Sequence, residues 1–522
     1  MYLSTPVGGI SGTPTGDVGI RQSPNSPNVS AKVLIKAPSV NDFGMAESVP
    51  APVEGGREPR RRSRPRGASA RRESETDELG RRAVELSRFY GGKIETVPKV
   101  PVRSLRDFAL WYTPGVAEVS RAIHADPELS FDLTGRWNTI AIVTDGSRVL
   151  GLGDMGPEAA LPVMEGKALL FRWLGGVDAV PLPIHATAPD AIIDTVERIA
   201  PAFGAINLED IASPKCFGIL EELQKRLPIP VWHDDQLGTA AATIAGLLNA
   251  LTLTHRSVKE IRTVLLGAGA ANIATARLLL ALGHDPHRLA LVDSSGILHA
   301  ERADVDELSV RNPWKYRLAL RTNGAGRTGD LASAVAGADV LLAASTPDPN
   351  TITPAHVRSM ARGPIVFALA NPVPEIWPDI ARAAGAAVVA TGRSDFPNQV
   401  NNSLVFPAVF RGVLDARARS IPDEIVLAAA RQLAHHAADL GLSSDHLLPT
   451  MEEIEVFPHV AAAVADAAVR EGIARRRLSH DEFLHRAETQ MGRSRQLVRA
   501  LQRAHLTPPM PRGGPSARRR SP

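Results

Sequence analysis

From Glu73 onward, short apolar β-branched runs alternate with helical stretches, and this rhythm restricts the chain to an α/β architecture with a largely parallel sheet. A helix is expected over residues 78–90, followed by a strand over 139–143 that ends in the turn Thr144-Asp145-Gly146. Residues 159–174 read as a helix carrying Glu165 and Lys167. Strands over 179–181, 205–208 and 230–232 are separated by helices over 189–199 and 214–227. Ligands of such sheets gather at the carboxyl ends of the strands.

A helix over 236–253 leads into a second unit, in which strand 262–266, a turn at Gly267-x-Gly269-x-x-Asn272 and helix 273–282 follow one another. Strand 289–292 then ends in Asp293, 24 residues beyond Gly269. Glycines in such a turn let backbone amides approach a pyrophosphate at a helix N-terminus, so a bound dinucleotide is expected at Gly267, Gly269, Asn272 and Asp293. Asn272 stands where Gly or Ala is usual, and a plain strand-to-helix turn is the bland alternative. An acid at the end of the second strand accepts ribose hydroxyls and repels a 2′-phosphate, which favours NAD, with NADP as the alternative. Strands over 340–343, 365–368 and 387–390 complete a Rossmann-like set, and helices are expected over 422–440, 459–471 and 480–504.

Composition divides the chain further. Residues 1–72 carry eleven Lys/Arg against five Asp/Glu, and residues 506–522 add four Arg without an acid, so a net charge of +3 leaves −7 for residues 73–505. Both tails are rich in Pro, Gly, Ser and Arg and are expected to be disordered, because they cannot bury enough apolar surface to offset their ordering entropy. The Arg run at 60–66 is read as a solvated tail, and nucleic acid is not expected as a partner. The organisation expected is a basic tail (1–72), a substrate and metal domain (73–250), an NAD-binding domain (251–415), C-terminal helices (416–505) and a second tail (506–522). The single cysteine, Cys216, fits a cytoplasmic location. No apolar run of membrane-spanning length and no secretory start are read.

Two acidic pairs close two strands of the first unit, Glu209-Asp210 and Asp234-Asp235. Converging carboxylates repel at low effective dielectric, and a hard divalent ion, Mg²⁺ or Mn²⁺, is their natural occupant. Surface acids that never meet, with Asp235 as a helix N-cap, are the alternative. Lys167 lies on an apolar helix, where it is either a base with a lowered pKa or a salt-bridged lysine. Tyr112 is equally ambiguous by itself.

Seven separated motifs together resemble malic enzyme, specifically its bacterial branch. They are Tyr112-Thr113-Pro114-Gly115-Val116-Ala117, the run from Thr144 to Asp154, Val163-Met164-Glu165-Gly166-Lys167, Asn207-Leu208-Glu209-Asp210-Ile211, His233-Asp234-Asp235-Gln236, the run from Ala370 to Glu375, and the run from Gly392 to Asn402. The resemblance covers about residues 81–415 and implies oxidative decarboxylation of L-malate to pyruvate and CO2 by a homo-oligomer, dimer or larger. It implies Glu209, Asp210 and Asp235 as metal ligands and Asp234 as a neighbouring acid beside Lys167. Arg148 would clamp a malate carboxylate, and Asn371 with Asn401 or Asn402 would hold substrate beside the nicotinamide. Lys167 would take the hydroxyl proton, and Tyr112 would serve as the acid. Leu237 departs from the bacterial pattern, which often has His there. A metal-assisted 2-hydroxy-acid dehydrogenase that does not decarboxylate, and an inactive scaffold binding polyanions through its tails, are the alternatives.

Overall fold

The computed structural model describes residues 67–149 and 151–511, with the backbone alone for 67–77. Residues 1–66 of the tail expected at 1–72, most of the second tail (512–522) and Leu150 lie outside the described residues. The first helix spans Gly67–Tyr90, earlier than its expected start, and the Tyr90 hydroxyl donates to the Pro508 carbonyl at 3.1 Å.

Two sheets organise the fold. The first contains β1 (Thr139–Thr144), β2 (Asp178–Pro183), β3 (Ala205–Leu208) and β4 (Val231–His233), all parallel, in the order β2-β1-β3-β4. Parallel pairing follows from the helices Pro157–Leu170, Pro189–Ile199 and Lys215–Arg226 that join successive strands. The second holds β5 (Thr263–Leu266), β6 (Leu289–Asp293), β7 (Gly296–Ile297), β8 (Val340–Ala343), β9 (Ile365–Ala368) and β10 (Val388–Thr391). Its order is β10-β9-β8-β5-β6-β7, and only β7 runs antiparallel. Strand order reverses between β1 and β3 in one sheet and between β5 and β8 in the other, the positions at which ligands of such sheets bind.

Helix Thr239–Leu253 carries the first sheet into the second, packing on Asp423–Asp439 and on Ala270–Ala281. The stretch Asp234–Leu253 is long and apolar enough to cross a bilayer, which corrects the sequence reading, but 78% of its apolar window is buried inside the protein. Asn249 anchors it, donating to the carbonyls of Ala434 at 2.9 Å and Leu447 at 2.8 Å. Helix Phe406–Asp415 was not read from the sequence, and every one of its residues is buried, its two charged side chains, Arg411 and Asp415, included. Its Arg411 is neutralised inside the core by Asp415 at 2.9 Å and donates to Asn138.

Candidate active site

Register places the acids. Leu208 pairs with His233 across β3 and β4, so the next two residues of each strand, Glu209-Asp210 and Asp234-Asp235, emerge side by side. The backbone N–H of Asp210 donates to Asp235 Oδ2 at 3.0 Å. Glu209, Asp210 and Asp235 each present an oxygen within 4.8 Å of the others, and Asp235 keeps 37% of its side chain open to the crevice. Burial pushes the Glu209 carboxyl well above the ordinary range; Lys167 opposes that shift, while Asp234, Asp235 and Asp210 reinforce it. Three hard oxygen donors in a concentrated negative field fit a divalent cation such as Mg²⁺ or Mn²⁺.

Asp234–Gly238 forms a wide π-helical turn before the long helix begins. Asp234 is fully buried, and a Cβ on Gly238 would lie 2.0 Å from its Oδ1, so the turn needs glycine there. Lys167, brought in by helix Pro157–Leu170, forms an ion pair with Asp234 and another with Glu209 at 2.7 Å. Its Nζ lies 4.3 Å from the centre of the Phe406 ring. Burial alone would lower the pKa of Lys167, but the two carboxylates outweigh it and hold the ammonium above the usual lysine value. The lowered pKa entertained from sequence is therefore absent while both carboxylates are charged.

Three residues that hold this cluster escaped the sequence reading. Trp232 Nε1 donates to Asp234 Oδ1 at 2.9 Å, and Asn207 Nδ2 donates to Glu209 Oε2 at 2.9 Å. Both partners are two positions away on one strand, where side chains share a face, so strand period carried the signal. Phe406 had no such cue. Trp232→Phe is expected to leave Asp234 Oδ1 buried without its donor, costing about 1–3 kcal/mol in a denaturant melt. An unchanged melt would remove Trp232 from this role. Leu237 is also explained: it is buried in the apolar core.

The remaining expected site residues divide. Arg148 is exposed, and its backbone N–H donates to the Asp210 carbonyl at 2.9 Å, which fixes it at the rim of the acidic cluster. Asn371 bridges the two units: its carbonyl oxygen would lie 2.5 Å from a Cβ on Gly151, and its Nδ2 2.6 Å from one on Gly392. Asn402 borders the turn, its Cβ 3.0 Å from a Cβ placed on Gly238. Asn401 caps the next turn, accepting from Ser403 N–H at 2.9 Å. Tyr112 is not brought into the cluster; it is 69% exposed, and its hydroxyl has no hydrogen-bond partner among the described residues.

The glycine turn sits at the reversal between β5 and β8. Gly267 has φ +91°, and a Cβ there would lie 2.4 Å from the Ala344 carbonyl oxygen, whereas one on Gly269 would meet open space. Asn272 is buried and donates to the carbonyls of Leu266 at 2.8 Å and Gly267 at 2.9 Å. It braces the turn from beneath, a role that a third glycine lacks. Asp293 uses its full acceptor capacity: Oδ1 accepts from Arg302 at 2.8 Å and Ser295 N–H at 2.9 Å, Oδ2 from Arg302 at 3.2 Å and Lys315 at 3.0 Å. Burial would raise its pKa, but these donors prevail and hold it below the ordinary range. Two cations thus offset the acid that was expected to repel a 2′-phosphate.

Comparison with known proteins agrees with this geometry. Residues 91–188 match the family model for the malic enzyme N-terminal domain, and residues 237–469 match that for the malic enzyme NAD-binding domain. The bifunctional malic/malolactic enzyme of Bacillus subtilis is 47% identical over 397 residues, 76% of this chain and 95% of the relative. The NADP-dependent malic enzyme of Halomonas elongata is 44% identical over 400 residues, 74% of this chain and 92% of the relative. The crystal structure of Entamoeba histolytica malic enzyme superposes with a TM-score of 0.82 at 42% identity, covering 86% of this chain and 94% of that one. With two family domains matched in order, relatives of such coverage and a Rossmann-like NAD-binding sheet, the chain belongs to the malic enzyme family of NAD- and NADP-dependent oxidoreductases.

Proposed function

We propose that this protein oxidatively decarboxylates L-malate to pyruvate and CO2 while reducing NAD⁺ or NADP⁺, with Mg²⁺ or Mn²⁺ held by Glu209, Asp210 and Asp235. The observation that carries this reading is the buried Lys167, locked between Asp234 and Glu209 beside the three-carboxylate cluster. When bound, the nicotinamide supplies a hydride acceptor and the cation a Lewis acid for the carboxylate and hydroxyl oxygens of malate. Neutralising the charge of Glu209 would remove part of what holds the Lys167 proton, so that the ammonium could release it to water and the free Nζ could then accept the C2 hydroxyl proton as the C2 hydride departs. Arg148 at the rim orients a malate carboxylate through a charge-assisted pair. Asn371 and Asn402, with Asn401 beside them, position substrate where the two units meet. Tyr112, which the resemblance gives as the acid for C3 of the enolate after CO2 leaves, stands outside the cluster in its own chain and would have to reach it from a neighbouring copy in the homo-oligomer.

Tyr112 sits among exposed apolar side chains, with Leu105 85%, Leu110 65% and Trp111 45% exposed. That surface supports a homo-oligomer of two or more chains, which sedimentation at working concentration should report as at least twice the monomer mass. The single cysteine, buried and unpaired, supports a cytoplasmic location.

The reading is tested by following NAD⁺ reduction with L-malate and Mn²⁺. Activity should vanish with chelator and return with added Mn²⁺; chelator-insensitive turnover would overturn the metal assignment. Arg302 and Lys315 beside Asp293 support use of both cofactors. Lys315→Ala should raise KM for NADP⁺ about tenfold, in line with loss of one charged hydrogen bond, and alter KM for NAD⁺ less. Equal effects on both cofactors would show that Lys315 does not sense the 2′-phosphate.

A further inference from the structure

The amino ends of β5, β6 and β8, opposite the glycine turn, border a cavity of about 460 Å³. Arg262, Arg288 and Arg327 line it, together with His287 and a single carboxylate, Asp285. Arg288 Nε stands 3.6 Å from Asp285 Oδ2. The guanidinium groups otherwise turn to uncharged carbonyls: Arg262 to Ala336 at 3.1 Å, Arg288 to Glu260 at 2.6 Å, and Arg327 to Ala334 and Ala336 at 3.2 Å each. Carbonyls occupy some donors without adding charge, so Asp285 is the one lining carboxylate against three guanidinium groups. The nearby Asp339 is engaged elsewhere, accepting the Arg262 backbone N–H at 2.9 Å and pairing with Arg256 at 3.8 Å.

The crowding registers on Arg262. Its pKa lies below the ordinary arginine value, first through burial and then through repulsion from Arg327 and Arg288, with Asp339 opposing. Three like charges around one hollow are an arrangement that an anion relieves. Guanidinium forks match phosphate oxygens in pairs, which makes phosphate the best fitted anion. The volume exceeds what a bare phosphate needs and falls within the range of small-molecule sites.

We propose that this cavity binds a small phosphorylated anion, its phosphate held by Arg262, Arg288 and Arg327. The site is distinct from the glycine turn, which lies at the other end of β5, about 10 Å along the strand. It takes no part in the chemistry proposed at Lys167.

The test is calorimetric titration of the full chain with inorganic pyrophosphate, in metal-free buffer with NAD⁺ at saturation to fill the glycine turn. One saturable site is expected, weakened at least tenfold in R288E and in R327Q. Arg288 is 50% exposed, so R288E should fold, and it decides the matter alone if R327Q does not. R288E should also keep its malate turnover. No saturable binding, binding that NAD⁺ abolishes, or unchanged affinity in R288E would overturn the site.

Discussion

Lys167→Ala is expected to lower kcat by about 10²- to 10⁴-fold, the range over which a positioned acid or base contributes, while the protein still binds Mn²⁺. The two readouts separate chemistry from architecture. Lys167 is the ammonium that faces Asp234 and Glu209 inside the core, so its removal leaves those carboxylates without that cation. Extra negative charge should strengthen Mn²⁺ binding, and a variant that had merely lost its fold would bind Mn²⁺ weakly. A rate close to wild type would remove Lys167 as the base. Loss of Mn²⁺ binding together with activity would point to a structural role for the ion pair. A Lys167→Arg variant adds a control: it keeps the positive charge but cannot release a proton near neutrality, so it should fold well and remain slow.

Asp235→Ala is expected to raise the Mn²⁺ dissociation constant by at least about 100-fold, more than the upper end of what outer-sphere substitutions cost. Asp235 is the most exposed of the three donors and also holds the Asp210 backbone N–H at 3.0 Å, so its removal takes away a ligand and loosens a second one. Asp235→Asn separates these contributions. The amide oxygen still accepts from Asp210, so the turn should persist while the charge is lost, and affinity should fall to a value between wild type and alanine. An Asp235→Ala protein with an unchanged Mn²⁺ dissociation constant would rule out its role as a ligand.

The parts of this site that could be read from sequence are those in which neighbours in the chain are neighbours in space. The acidic pairs are adjacent residues at strand ends, and parallel pairing of β3 with β4 was enough to bring them together. The glycine turn was legible for the same reason, since strand, turn and helix are consecutive. Long-range partners were not. Lys167 lies 67 residues from Asp234, and its residue type alone favoured a solvated or salt-bridged lysine over a base without naming a partner; the buried ion pair is the salt bridge. Asp293 was read as a lone acid because Lys315, 22 residues on, reaches it only through the folding of helix Pro313–Arg321. Helix Phe406–Asp415 was missed although its residues are one-sided; its polar edge, Arg411 and Asp415, turns to Asn138 and Arg486 inside the protein rather than to solvent. Tyr112 marks a different limit: its motif carries the family resemblance, yet the folded chain leaves its hydroxyl exposed and outside the acidic cluster.

Carbon balance tests the central claim most directly. With L-malate labelled at C4, Mn²⁺ and limiting NAD⁺, labelled CO2 and unlabelled pyruvate should each form in a one-to-one ratio with NADH. Accumulation of labelled oxaloacetate with NADH and without CO2 would contradict the account and identify a dehydrogenase that stops before the carbon–carbon bond breaks.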